Sequence, residues 1–301
     1  MQFSRKIPIA IERYLLDFAI FAILAALYLP IGVYWVDGWL KKSISLEHEY
    51  FSHGLIGFPF AAYLVWSQRD RWRKLPDQSS PLGAGLLVLG FLFYLSGLHN
   101  LLNLSLPIVL VGLCLWFKGL PGLKLQAFPL LLVFLATPTS MPYLIAPYTL
   151  PLQSFIATVA GFILTQLGMD VRVEEISLFV GDRIVEVAPH CAGLKMLFTT
   201  LYVSLMLLYW RDNLSSRKRT FVFLALAVTT SVTANIIRNT LLTFFHGTGR
   251  EFWFEWLHEG QGGDLYSACM LGLLIPIMIG VERLLPDRPA FASPAENTTD
   301  E

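Results

Sequence analysis

Residues 184–195 read Ile184-Val185-Glu186-Val187-Ala188-Pro189-His190-Cys191-Ala192-Gly193-Leu194-Lys195, and an almost wholly apolar run follows to Trp210. The β-like run of Ile184, Val185 and Val187 stops at Pro189. Proline suits the first turn of a helix, where its missing N–H is no loss. Cys191 is therefore expected in the first turn of a membrane helix over about 190–210. Unpaired N–H groups and the helix dipole favour negative charge there, and a thiol so placed carries more of the reactive thiolate. Gly193 leaves room for another backbone or a substrate to approach. A lone cysteine on an apolar helix is more often a small hydrophobe. Cys114 and Cys269, each inside an apolar run, read that way. Only position separates Cys191 from them.

Working outward, the 301 residues are 55% hydrophobic and only 15% charged, with mean hydropathy +0.58. Soluble domains average roughly 25% charged. Several apolar runs reach the ~20 residues that span a bilayer. The fold class is an all-α polytopic membrane protein with about eight transmembrane helices, at about 15–36, 52–68, 82–98, 102–117, 126–143, 190–210, 220–241 and 264–283. Between the fifth and sixth, an amphipathic stretch at about 150–168 is expected on or dipping into the membrane surface. The runs Val171–Glu174 and Asp182–Val187 alternate polar and apolar around Gly181-Asp182, as a small extracytoplasmic β-hairpin does. Residues 1–285 are read as one integral membrane domain, its active-site half about 144–283, with a flexible cytoplasmic tail at 286–301. The first apolar run is expected to be a retained helix, since it outruns a signal peptide and has no cleavage site. Net charge is zero, so nothing argues for nucleic acid. Three cysteines give no disulfide framework, no Cys/His spacing suggests a metal, and no motif calls for a cofactor.

Lys and Arg counts orient the chain. Fifteen of the 22 fall at the N-terminus, at 69–74, at 118–124, at 211–219 and after 282. That side is expected to be cytoplasmic, with both termini on it. Cys191 then opens its helix at the outer face. Arg238 lies about 25 Å along its own helix from Phe221, near the far edge of a ~30 Å core. His258 sits in the outer loop before the last helix.

Each residue has a plain reading beside the functional one. Arg238 could only snorkel, but it lies within an apolar helix with Asn235 one turn back on the same face, and an ionisable residue inside a membrane segment is a functional candidate by default. His258 competes with His53, His190 and His246. His53 opens the second helix on the same outer face, where it lines a site or caps a helix. Lys195, one turn below Cys191, raises local positive potential or snorkels. Chemically the set is coherent. A thiolate attacks a carbonyl carbon, a histidine handles the proton, and an arginine fork holds the oxyanion. Such a site would act on peptide or acyl bonds at the outer membrane surface.

Val187-Ala188-Pro189-His190-Cys191-Ala192-Gly193-Leu194-Lys195 resembles the active-site block of the exosortase/archaeosortase family, usually written Val-Ala-Glu-Ala-Cys-Ser-Gly-Leu-Arg. Asn235-Ile236-Ile237-Arg238-Asn239 resembles its Asn-x-x-Arg block. His258-Glu259-Gly260 resembles its third block, and Tyr50-Phe51-Ser52-His53-Gly54 its N-terminal Tyr-Ser-His-Gly. The order holds across about 45–283, and the wording is most similar to the cyanobacterial branch. Pro189, Ala192 and Lys195 depart from the pattern, where Glu, Ser and Arg are usual. The resemblance implies a membrane cysteine peptidase or transpeptidase of the inner membrane, without a cofactor. Its partners would be exported proteins with a C-terminal tail made of a Pro-Glu-Pro-type motif, a transmembrane helix and a basic end. By carry-over Cys191 is the nucleophile, Arg238 the oxyanion or substrate stabiliser and His258 the acid/base, with Asn235, Lys195, His53 and Gly193 supporting. Two other classes remain open at this stage: a transporter with Arg238 in the substrate path, and a thiol-dependent membrane acyl or head-group transferase. Hydrolysis and transfer share one acyl-enzyme, so these side chains do not separate them.

Overall fold

A computed structural model describes residues 9–41, 45–187, 193–258 and 260–286. Among the described residues the regular structure is helical but for one small sheet, and by internal contacts the chain divides into two units after Tyr148. Among the described residues, five segments are long and apolar enough to cross a membrane: Phe18–Leu40, His99–Ala136, Pro147–Gln166, Arg217–Gly247 and Gln261–Leu284. Three shorter apolar helices accompany them, Gly54–Ser67, Pro81–Leu95 and Leu194–Trp210. This is a multi-pass, all-α membrane protein.

The first unit opens with α1 (Ile9–Leu40), α2 (Leu46–Phe51), α3 (Gly54–Ser67) and the basic α4 (Arg69–Lys74). Trp35 and Trp39 of α1 each meet Phe58 of α3 with ring centroids 5.8 Å apart. Then come α5 (Pro81–Leu95) and α6 (His99–Ala136). The 38 residues of α6 would measure ~57 Å as a straight helix, yet its ends meet. Asn103 Nδ2 donates to Pro138 O at 2.9 Å, and Ser140 N donates to Asn100 Oδ1 at 3.0 Å. The reversal is at Gly119, φ 59° and ψ −153°, a region essentially closed to other residues. So α6 is two antiparallel helices, matching the pair expected on either side of a Gly/Pro turn. Buried Lys118 braces the reversal by donating to Leu75 O and Asp77 Oδ1, both at 2.6 Å. Gly83, Gly90 and Gly112 let α5 lie against the first half of α6 with backbone close to backbone, as small residues do between membrane helices. Short α7 (Met141–Ile145) ends the unit.

In the second unit, α8 (Leu150–Gln166) covers the stretch expected to be amphipathic. One face of it, Ile156, Ala157, Ala160 and Leu164, is fully buried with Leu178 and Val187 of the sheet segment, and Ile236 and Phe244 pack on that cluster. The expected hairpin is a three-stranded antiparallel sheet: β1 (Val171–Glu174), β2 (Ser177–Val180) and β3 (Arg183–Glu186). Gly181, at φ 59°, is the first central residue of the β2–β3 turn, where glycine is expected. The β1–β2 turn puts Glu175 at φ 52°. No Gly or Asn marks that turn, which is why the sequence hides the middle strand.

Helix α9 runs Leu194–Trp210 and α10 Arg217–Gly247. The expected loop at 244–263 contains a further helix, α11 (Glu251–His258). The last expected helix is two, α12 (Gln261–Gly272) and α13 (Leu274–Leu284), parted at Leu273. Pro276 accounts for the break: it has no N–H for the Gly272 carbonyl, and its ring clashes with it. At that end Leu208, Phe223, Ala227, Leu274, Met278 and Val281 form a closed core.

Gly119→Ala should lower stability by about 1–3 kcal/mol, the usual cost of forcing a side chain into this backbone region. Thermal unfolding in detergent measures it, with Gly85→Ala as control, since a Cβ there meets nothing within 4 Å. Equal melting temperatures for Gly119→Ala and wild type would show that the reversal is set elsewhere.

Candidate active site

Helix α10 carries Asn235, Arg238 and Asn239. Asn235 and Asn239 are almost fully buried, at 1% and 2% exposure, and Arg238 is half-buried. The Arg238 Nη2 donates to the backbone carbonyls of His258 at 3.1 Å and Leu257 at 3.4 Å. Those are the last two residues of α11. A helix C-terminus leaves carbonyls unpaired and carries partial negative charge, so a guanidinium is a natural cap. Arg238 thereby fixes the residue that bears the candidate acid/base. Gly263, in the first turn of α12, completes the joint. A Cβ there would lie 2.9 Å from Leu257 O, so only glycine lets α12 close on the α11 terminus. The His258 ring stacks on Phe254, centroids 5.2 Å apart at 11°. His258 was expected in a loop; the helix gives it a defined direction.

The start of α9 meets the same part of α10. Gly193 is the N-cap of α9 with φ 78°. A Cβ at Gly193 would lie 2.6 Å from Asn235 Cγ and 2.8 Å from its Nδ2. The room expected at Gly193 is thus taken by the Asn235 amide. Nor does Asn235 hold the guanidinium: its Oδ1 accepts from Asn239 Nδ2 at 3.3 Å. Lys195 lies in the first turn of α9, where a cation opposes the helix dipole. Beneath the site Met196, Ala234 and Met270 pack together, and the Tyr266 hydroxyl donates to Ala234 O at 2.5 Å.

Cys191 and His190 lie outside the described residues; the helix expected from about 190 instead starts at Leu194, because Gly193 takes the left-handed N-cap position. Covalent reach alone limits Cys191: two peptide units keep its Cα within about 7.6 Å of the Gly193 Cα. Helix α10 brings two distant segments to adjacent turns: Gly193 lies against Asn235, and the His258 carbonyl accepts from Arg238. His53 belongs to the first unit, where it is buried and its Nε2 donates to Leu135 O at 3.2 Å. Among the described residues no three His, Cys, Asp or Glu side chains converge as a metal would require. The sequence reading missed Gly263, Tyr266 and the positioning role of Asn239. Only Asn239 had a visible signal, one helical turn beyond Asn235.

The family model for transmembrane exosortase matches residues 35–275. The chain belongs to the transmembrane exosortase family. No curated relative and no solved structure matches it. The exosortase match spans all four sequence blocks from Tyr50 to His258 and both units of the fold.

A second brace carries α11 in this exosortase. Arg183 of β3 donates to His246 O at 2.7 Å and to Glu251 Oε1. The Arg183 hydrogen bond holds the Glu251 carboxyl below the usual glutamate range, with a smaller contribution from His246. A depressed carboxyl stabilises the fold fully above the ordinary range, and that contribution is lost as pH falls through the folded value. Amide protection of α11 should therefore hold from neutral pH down to that range and fall below it, as read by hydrogen exchange corrected for intrinsic rates. Glu251→Gln should show the acid level at neutral pH. Equal protection in that variant would remove the brace from the account.

Proposed function

We propose that this chain is a membrane cysteine peptidase or transpeptidase that cleaves C-terminal sorting tails from exported proteins at the outer face of the inner membrane. The observation that carries the reading is that α10 meets Gly193 through Asn235 and the end of α11 through Arg238, one turn apart, with Cys191 two residues from Gly193 in the chain. Family membership supports the chemistry. The Lys and Arg bias supports the sidedness, with both termini cytoplasmic. The block wording points to the cyanobacterial branch, and the substrate would carry a Pro-Glu-Pro-type motif, a transmembrane helix and a basic end.

In this mechanism the Cys191 sulfur attacks the scissile carbonyl carbon, and His258 accepts the thiol proton and returns it to the leaving amine. The product of that half is a thioester. Water resolves it to a carboxylate, and an amine acceptor resolves it to a new amide. Arg238 adds positive charge beside the developing oxyanion and anchors His258 through the α11 carbonyls.

Co-expression with a tailed protein tests the reading. Cys191→Ala and Cys191→Ser should abolish tail processing while the protein stays in the membrane, and Cys114→Ala and Cys269→Ala should be nearly silent. Near wild-type processing by Cys191→Ala would refute a peptidase. The mass of the new C-terminus separates hydrolysis from transfer.

Arg238→Lys should lower the single-turnover rate by ~10²–10³, the loss typical of one oxyanion donor. Lysine keeps the charge but loses the rigid planar guanidinium, whose Nη2 serves both α11 carbonyls. A rate within about threefold of wild type would leave Arg238 as a membrane anchor.

A further inference from the structure

We infer that Asn235 is itself a catalytic donor, its side-chain N–H reserved for the substrate's scissile carbonyl oxygen, and that Asn239 is the residue that aims it. This rests on the reading of the chain as a cysteine peptidase.

The starting point is an unmet hydrogen-bonding demand. Asn235 is 1% exposed, yet its Nδ2, with two N–H donors, has no acceptor among the described residues. Buried polar groups are nearly always paired, and an exception calls for an explanation. Amide orientation offers no escape. Asn239 Nδ2 donates to the Asn235 backbone carbonyl at 2.9 Å and to the Asn235 side chain at 3.3 Å. A backbone carbonyl only accepts, so the Asn239 atom facing it is the nitrogen. The Asn235 atom facing that nitrogen must then be oxygen. Asn235 Nδ2 is left without an acceptor among the described residues, and the whole amide lies against Gly193, where a Cβ would sit 2.6 Å from Cγ, 2.8 Å from Nδ2 and 3.0 Å from Oδ1.

Position makes the orphan donor useful. Gly193 is held at φ 78° with no room for a Cβ beside the amide. That turn is two residues from Cys191 in the chain. In this inference the oxygen of a carbonyl attacked by that cysteine is the acceptor the amide lacks. Arg238, one turn along α10, already gives its Nη2 to the α11 carbonyls. The two residues of the Asn-x-x-Arg block thus divide the work. Arg238 holds the helix that bears His258 and adds positive charge to the site, and Asn235 gives the oxygen its hydrogen bond. Side-chain amides are effective oxyanion donors when preorganised away from water, and a buried amide locked by Asn239 meets both conditions.

The step balances. The sulfur electron pair forms the C–S bond, and the carbonyl π pair moves onto oxygen, where the Asn235 N–H meets it. As that pair returns, the C–N bond breaks and the amine leaves with the proton held by His258. The thioester remains, and the Asn235 amide gives up no proton.

The test compares two reactions of one thiol in the full-length protein carrying Cys114→Ala and Cys269→Ala. Cleavage of a tailed substrate passes through an oxyanion. Alkylation of Cys191 by iodoacetamide attacks a saturated carbon, expels iodide and forms no oxyanion. Asn235→Ala should lower single-turnover cleavage by ~10²–10³, with alkylation within about threefold of the parent and KM little changed. Asn239→Ala should give a smaller loss with the same split. If Asn235→Ala fails to accumulate in the membrane, Asn239→Ala is read by the same two reactions. A parallel fall of both reactions would make Asn235 a structural support of the Gly193 turn, and cleavage within about threefold of the parent would remove it from catalysis; either overturns the inference. Failure of the peptidase reading looks different, since there Cys191→Ala would itself still cleave.

Discussion

A guanidinium inside a long apolar helix is costly unless something on the protein meets its charge. Here the C-terminal carbonyls of α11 do so. Arg238 Nη2 reaches the carbonyls of Leu257 and His258, and that contact joins α10 to the segment that bears the candidate acid/base. Much else at this end of the second unit serves the joint. Gly263 permits the approach of α12, Arg183 ties α11 back to the sheet through Glu251, and Phe254 supports the His258 ring. A cation that the membrane would expel becomes the fixed point of the site.

Close approach is the second constraint. Gly193 and Gly263 each stand where a single methyl group would collide with a polar partner: the Asn235 amide in one case, the Leu257 carbonyl in the other. At Gly193 the positive φ adds a backbone requirement, since other residues adopt that conformation only with strain. So the glycine of the cysteine block and the asparagine of the arginine block are one contact seen from two sides.

What was legible in the sequence follows from the length of the signals. Apolar runs near 20 residues announced the membrane helices, and the reversal of α6 was legible in Lys118, Gly119 and Pro121. Short elements were not. The middle strand hid behind a turn at Glu175-Ile176 that has no glycine. The eight residues of α11 are so rich in aromatics and charge that they read as loop. The break at Leu273 required weighing Pro276 against an otherwise continuous apolar run. At the site, the sequence grouped the reactive residue types by block but could not assign partners. Spacing puts Asn235 on the face of Arg238; in the fold its oxygen accepts from Asn239 and its amide lies against Gly193. Hydrogen-bond direction depends on side-chain rotamers and on which carbonyl lies nearby, and neither is written in residue spacing.

The length of α10 explains why these groups gather where they do. Its 31 residues span ~46 Å, well beyond a ~30 Å hydrocarbon core. Counting from Arg217, Asn235 lies ~27 Å and Arg238 ~32 Å along the axis, so the pair falls where such a helix leaves hydrocarbon. The final turns are sheathed by protein instead of lipid: Val180 and Met169 close on Gly247, and Phe244 packs on the α8 cluster. That depth suits the chemistry. A histidine that takes and returns protons must exchange them with water, which a residue at mid-membrane cannot do. An oxyanion donor gains strength from a dry, low-dielectric setting. Asn235 is buried within the protein and His258 is half-buried at the end of α11, as the opposite needs of the two proposed roles require.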